Sequence, residues 1–218
     1  VRFGHLIAGC FAGALLASAP AIAHPHVFVS VKTTVVATDD GLIREVRHVW
    51  TFDEPFSAYA TLGLDTDKDG KLSRDELAPL AKVNVESLEE YGYFTFIRKD
   101  EVGQAKERAA FGAVKDFHLA HDGKALTLHF TLPLAETKHA LANTRFEVYD
   151  PEFFVSFGYA EKDPVLVEGT KTPCTARLTP PKQSVFARLS QLGESFFQQQ
   201  GGNTLNADWS TPVRFSCK

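Results

Sequence analysis

The sequence predicts an α+β fold, mainly antiparallel, with a sandwich-like sheet, a helix–loop–helix insert at about 54–90 and a C-terminal helix. Three observations carry this. Val27, Val29 and Val31 alternate with intervening residues at the period of a half-buried strand, and similar runs recur along the chain. An acidic twelve-residue stretch sits between two segments of helical spacing. Strand runs outnumber helical ones and do not alternate with them, which points away from a βαβ sheet.

The first 23 residues have the pattern of an export signal. Arg2 supplies the positive start, Leu6 to Ala17 is almost entirely apolar or small, and Ala21-Ile22-Ala23 offers a small-x-small cleavage site. Cleavage after Ala23 leaves a single domain over 24–218 in the periplasm or outside the cell. Taking Arg2 from the 23 basic residues leaves 22 against 27 acidic ones, a net charge of −5. No basic stripe is visible along the chain, which argues against nucleic acid as a partner. Membrane contact is expected only through a partner.

The mature chain opens with a hairpin pattern, His26 to Thr38 and Leu42 to Phe52, around Asp39-Asp40-Gly41. Pro55 suits a first helical turn, and a second helix is expected from about Arg74 to Glu90. Its buried side is expected to hold Leu77, Leu80, Ala81, Asn84, Leu88 and Tyr91. Strand character returns at Tyr93 to Ile97. A second hairpin flanks His121-Asp122-Gly123, and a third strand pair is expected around Asp150-Pro151. Val165 to Glu168 and Val213 to Cys217 are shorter strands. Val185, Leu189, Leu192 and Phe196 repeat at helical spacing within Lys182 to Gln200, and Gly201-Gly202 ends that helix.

Cys174 and Cys217 are the two cysteines beyond the leader, an even count that predicts a disulfide in an oxidising compartment. The chain contains no methionine, which disfavours a thioether copper carrier.

The acidic stretch, Asp65 to Glu76, matches the EF-hand calcium loop position by position. Asp65, Asp67 and Asp69 occupy positions 1, 3 and 5. Gly70 permits the sharp turn, Lys71 would ligate through its backbone carbonyl, Ser73 through a water, and Glu76 with both carboxylate oxygens. Calcium is a hard cation that takes six to eight oxygens, and four crowded carboxylates repel one another without it. Sensor proteins pair two such loops over a Met-rich groove. One loop and no methionine favour a structural role.

The expected new start, His24-Pro25-His26, offers imidazole to Zn2+, Ni2+, Co2+ or Cu2+. Pro25 has no amide N–H, so the square-planar site that uses two deprotonated amides cannot form. Asp53 and Glu54 should lie opposite this start across the first hairpin. They, or His48, His118, His121, His129 and His139, are candidates to complete a shell, although His118 and His129 read first as strand histidines.

His24-Pro25-His26, Trp50-Thr51-Phe52-Asp53-Glu54, the acidic loop and Tyr149-Asp150-Pro151-Glu152-Phe153-Phe154, in that order, resemble a bacterial periplasmic family labelled as the periplasmic component of an ABC-type transport system. The resemblance covers most of the mature chain. Members are often encoded near nickel/cobalt-type transporters, which implies divalent-metal handling beside an envelope transporter. Two other readings stand next to it. One is a non-catalytic interaction module with purely structural calcium. The other is a copper oxidase with an N-terminal histidine brace. Neither a nucleophile elbow nor an HExxH motif is present, so no catalytic residue is assigned.

Overall fold

The computed structural model describes residues 25–100, 109–181 and 210–218. The expected leader, His24 and the expected helix at 182–200 lie outside these residues. β1 (Val27–Ala37) and β2 (Ile43–Phe52) form the first hairpin, with Val35 opposite Val46 and Val29 opposite Phe52. The turn holds Gly41 at φ 79, the left-handed region a tight connection needs.

Two helices follow. α1 (Glu54–Ala60) is capped by Asp53, whose carboxylate accepts the Phe56 N–H. α2 (Arg74–Glu90) starts at Ser73 with a complete capping box closed by Glu76. Its most buried residues are Leu77, Ala81 and Val85, a stripe at spacing i, i+4, i+8. The expected face is therefore turned slightly. Asn84 is only half-buried and donates to the Leu80 carbonyl, and Tyr91 is 49% exposed beyond the helix end.

The remaining strands are β3 (Thr95–Lys99), β4 (Lys115–His121), β5 (Leu126–Pro133), β6 (Thr144–Val148), β7 (Val155–Tyr159), β8 (Val165–Glu168), β9 (Cys174–Leu178) and β10 (Val213–Cys217). They form a larger sheet in the order β4-β5-β2-β1-β7, with β8 also on β1, and a smaller sheet β3-β6-β10-β9. Most pairings are antiparallel. β7 and β8 run parallel to β1. Inward residues of both sheets, Trp50, Phe130, Phe146 and Val213 among them, form one core with Leu77, Ala81 and Val85 of α2.

The strands on either side of Asp150 do not pair with each other. β6 lies in the smaller sheet and β7 in the larger, so this segment crosses between layers. Asp150 explains the corner. Its buried carboxylate accepts the backbone N–H groups of Glu152, Phe154 and Val155, which wraps the chain round the side chain rather than into a two-strand turn. β9 carries no strand expectation from the sequence and is fixed by its partner: Cys174 stands directly opposite Cys217, bridged by the disulfide with a Cα–Cα distance of 4.1 Å. Among the described residues, no helix is long and apolar enough to cross a membrane.

Candidate metal centre

The acidic loop is wound by its own side chains. The Gly70 N–H donates to Asp65 Oδ2 at 3.1 Å, Asp69 N–H to Asp67 Oδ1 at 3.1 Å, and Lys71 N–H to Asp69 Oδ1 at 2.7 Å. Each bond lets a short carboxylate stand in for a backbone carbonyl and curl the chain. Lys68 at φ 61 and Gly70 at φ 79 provide the two left-handed steps. Leu72 is half-buried and packs against the core, anchoring the loop from below.

This winding brings one oxygen each from Asp65, Asp67 and Glu76 within 4.8 Å of one another. Asp65 Oδ1 is buried and has no hydrogen-bond partner. Asp69 stands outside the converging group, its Oδ1 taken by the Lys71 N–H. Glu76 closes the loop through four hydrogen bonds. Its Oε1 accepts from Thr66 N and Oγ1 at 2.7 and 2.8 Å, and its Oε2 from Ser73 N and Oγ at 2.9 and 2.8 Å. The backbone N–H groups of Ser73 and Thr66, followed by their hydroxyls, hold the Glu76 carboxyl down at about 2, so it is ionised at any ordinary pH. Thr66, a residue the sequence reading passed over, thus ties the first turn of the loop to its last residue. Ser73, expected to reach a metal through water, directs its hydroxyl to Glu76.

The three converging carboxylates suit a hard dication by charge and donor type. A carboxylate offers about four lone-pair sites, and all four on Glu76 are engaged. Two-oxygen ligation by Glu76 would displace the Thr66 and Ser73 hydroxyls, which can rotate away without breaking the backbone contacts.

The described histidines do not gather into one shell; of those beyond the start, His118 and His129 meet each other. His26 is exposed. Its ring lies 4.5 Å from Phe154, and its backbone N–H donates to the Phe154 carbonyl. Asp53 does lie opposite this start, but its Oδ2 accepts the Phe28 N–H at 2.7 Å while Oδ1 caps α1 at 2.8 Å. Glu54 sits 3.9 Å from Lys124. His48 is removed from any N-terminal shell. It faces Thr33, seven residues along β1 from His26 and so roughly 23 Å away, inside the core. Burial pushes its pKa down to about 3. His118 and His129 are directly opposed on β4 and β5 with rings stacked at 4.5 Å, both lowered first by desolvation. His121 Nδ1 accepts the Gly123 N–H, and His139 is buried. Among the described residues, Asp65, Asp67 and Glu76 are the one group of three or more such side chains placed to hold an ion.

Three of the four segments that carried the sequence resemblance nevertheless meet. Asp53 bonds to Phe28, His26 to Phe154, and Val27 pairs with Val155, all at one end of β1. α1, which leads on to the acidic loop, leaves from that same end.

Comparison with known proteins agrees with this continuity over the chain. An uncharacterized protein of Haemophilus influenzae is 23% identical over 200 residues, covering 90% of this chain and 92% of that protein. A family model described as a protein of unknown function, DUF1007, matches residues 9–217, nearly the whole sequence. The chain belongs to the DUF1007 family.

Proposed function

We propose that this is a calcium-binding protein of the bacterial envelope, an accessory to divalent-metal transport or handling, with calcium acting as scaffold. The observation that carries the calcium reading is the convergence of Asp65, Asp67 and Glu76 oxygens within 4.8 Å, one of them buried without a partner. The ion would neutralise three carboxylates drawn together between α1 and α2 and fasten α2 against the sheet. Asp69, the Lys71 carbonyl and a water from Ser73 are the further ligands the loop pattern offers. Extracellular sites of this kind bind with dissociation constants of about 10⁻⁴–10⁻³ M.

The test is calorimetric titration of decalcified protein with CaCl2, beside Asp65→Asn and Glu76→Gln. Wild type should take up one calcium and melt higher with it, and each variant should bind at least about tenfold more weakly. No uptake at millimolar calcium would end the reading.

The dispersal of the described histidines favours a second reading for the rest of the molecule: an interaction module in which calcium is purely structural. Titration of wild type and His26→Ala with Zn2+, Ni2+, Co2+ and Cu2+ separates the two. Equal affinities select the interaction module. Loss in the variant selects metal handling at the histidine start. A copper oxidase would further require redox turnover by the copper-loaded protein.

A further inference from the structure

The smaller sheet aligns four arginines that are scattered in the sequence. Arg98 on β3 is directly opposite Arg145 on β6. Arg145 is opposite Arg214 on β10, and Arg214 is opposite Arg177 on β9. Directly opposed residues share a face of the sheet. The face is the one turned away from the shared core, where the sequence neighbours Ile97, Phe146 and Val213 are fully buried, and its Phe96–Glu147 end is itself covered, with the buried Ser210 hydroxyl donating to Glu147 Oε1. With neighbouring strands about 4.8 Å apart, the row spans about 14 Å.

Two carboxylates sit among these four cations. Glu147 is fully buried. Its Oε1 accepts from Arg145 at 2.8 Å and its Oε2 lies 3.8 Å from Arg98. Asp100 accepts from Arg214 at 2.6 Å. Arg177 is exposed and makes no ion pair among the described residues. Among the described residues two positive charges are left over, in a chain whose formal net charge is −4. Arg98 is held in place by the Phe96 ring, 4.7 Å from its guanidinium carbon, and by a 2.9 Å bond to the Tyr149 hydroxyl. The Nε groups of Arg98 and Arg145 and Oε2 of Glu147 are buried without a hydrogen-bond partner. Side-chain exposure rises from 18% at Arg98 to 33% at Arg145 and 44% at Arg214, so the row opens toward solvent at its β10–β9 end.

Like charges set directly opposite across strands are destabilising, and acidic partners on alternate strands would be cheaper. A local arrangement that works against stability is the kind expected at a functional site. We infer that the row is a binding site for a multivalent oxyanion, a small molecule carrying two or more carboxylate or phosphate groups. Arg145, Arg214 and Arg177 would engage them with their forked N–H donors. This rests on register and charge in the smaller sheet and is independent of the calcium loop.

The experiment is calorimetric titration of decalcified protein at low salt with tripolyphosphate and, separately, propane-1,2,3-tricarboxylate. Removing calcium beforehand keeps chelation by the probes out of the signal, so failure here and failure of the calcium reading are told apart. Wild type should bind at least one probe, and which one identifies phosphate or carboxylate as the recognised group. R177Q, at an exposed position, should melt like wild type and bind at least about tenfold more weakly. R214Q should do the same or worse. K82Q on α2, away from the row, should bind as wild type does. The proposal is overturned if neither probe binds wild type at millimolar concentration, if R177Q binds unchanged, or if K82Q weakens binding as much as R177Q.

Discussion

The Thr95 hydroxyl, on the smaller sheet, accepts the Nε2–H of His48 on the larger sheet at 3.1 Å. The direction follows from the neighbours. Thr95 gives its own proton to the Tyr93 carbonyl at 2.7 Å, so it must accept from His48. That leaves His48 Nδ1 to accept from Thr33 Oγ1 at 3.0 Å. A neutral imidazole, packed against Phe130 and Phe146, thereby joins the two layers through their common core.

This neutral histidine makes stability depend on pH. Its folded-state pKa of about 3 lies below the ordinary 6.5, so the unfolded chain binds the proton first. The contribution is complete above pH 6.5 and is lost as pH falls toward 3, at about 1.4 kcal/mol per pH unit. Urea melts between pH 7 and 5 should show this slope added to that of His118 and His129, whose pKa values burial also lowers, and His48→Gln should make the dependence shallower. Equal slopes in the two proteins would refute the assignment.

Glu76 clasps its loop before any metal arrives. In calcium-free buffer, Glu76→Ala should speed amide exchange at Thr66 and Ser73, whose N–H groups now point at the carboxylate. The carboxyl is held at about 2, below its ordinary 4.5, so the clasp is intact above pH 4.5 and loosens as pH falls toward 2. Unchanged exchange in the variant would mean that the loop is wound by its aspartates alone.

Ser57 ties α1 to the larger sheet. Its fully buried Oγ donates to the Asp53 carbonyl at 2.7 Å and accepts the Leu126 N–H at 2.9 Å. Ser57→Ala leaves that buried N–H unpaired and should cost about 1–3 kcal/mol in chemical denaturation. A change within a few tenths of a kcal/mol would show that the contact is dispensable.

The Cys174–Cys217 bridge staples β9 to β10, which otherwise close a long excursion of the chain. Replacing both cysteines by serine should lower stability by about 2–4 kcal/mol. Reductant should then shift the wild-type melt and leave the variant's unmoved.

Gly169 follows β8 at φ 86, and a Cβ there would collide with the Ala37 carbonyl. Gly169→Ala should destabilise the protein at the β1–β8 pairing, seen as a lower melting temperature. A melt equal to wild type would show that this junction has slack.

Features made by near neighbours in sequence were legible. Asp39-Asp40-Gly41 marked the first turn, helical spacing marked α2 from about Arg74, and the aspartate spacing marked a loop that curls on itself. Within that loop, the role of Thr66 was not legible, since a hydroxyl at the second position is not part of the pattern. The strand pair around Asp150 misled because an Asp-Pro turn between two apolar runs looks the same whether the runs pair or part company. Side-chain capture of three N–H groups decided the matter.

What the sequence determined by itself, then, is whatever depends on spacing over a few residues: hairpin turns, helix caps, the winding of the acidic loop and the availability of two cysteines. Tertiary structure decided which histidines stay wet, with His48 sealed in the core and His118 stacked on His129. It also decided where charge collects. Arg98, Arg145, Arg177 and Arg214 form no basic run along the chain, and only hydrogen-bond register between four strands sets them side by side. The physical reason is that register is fixed by burying one face of every strand at once, a condition no single stretch of sequence contains.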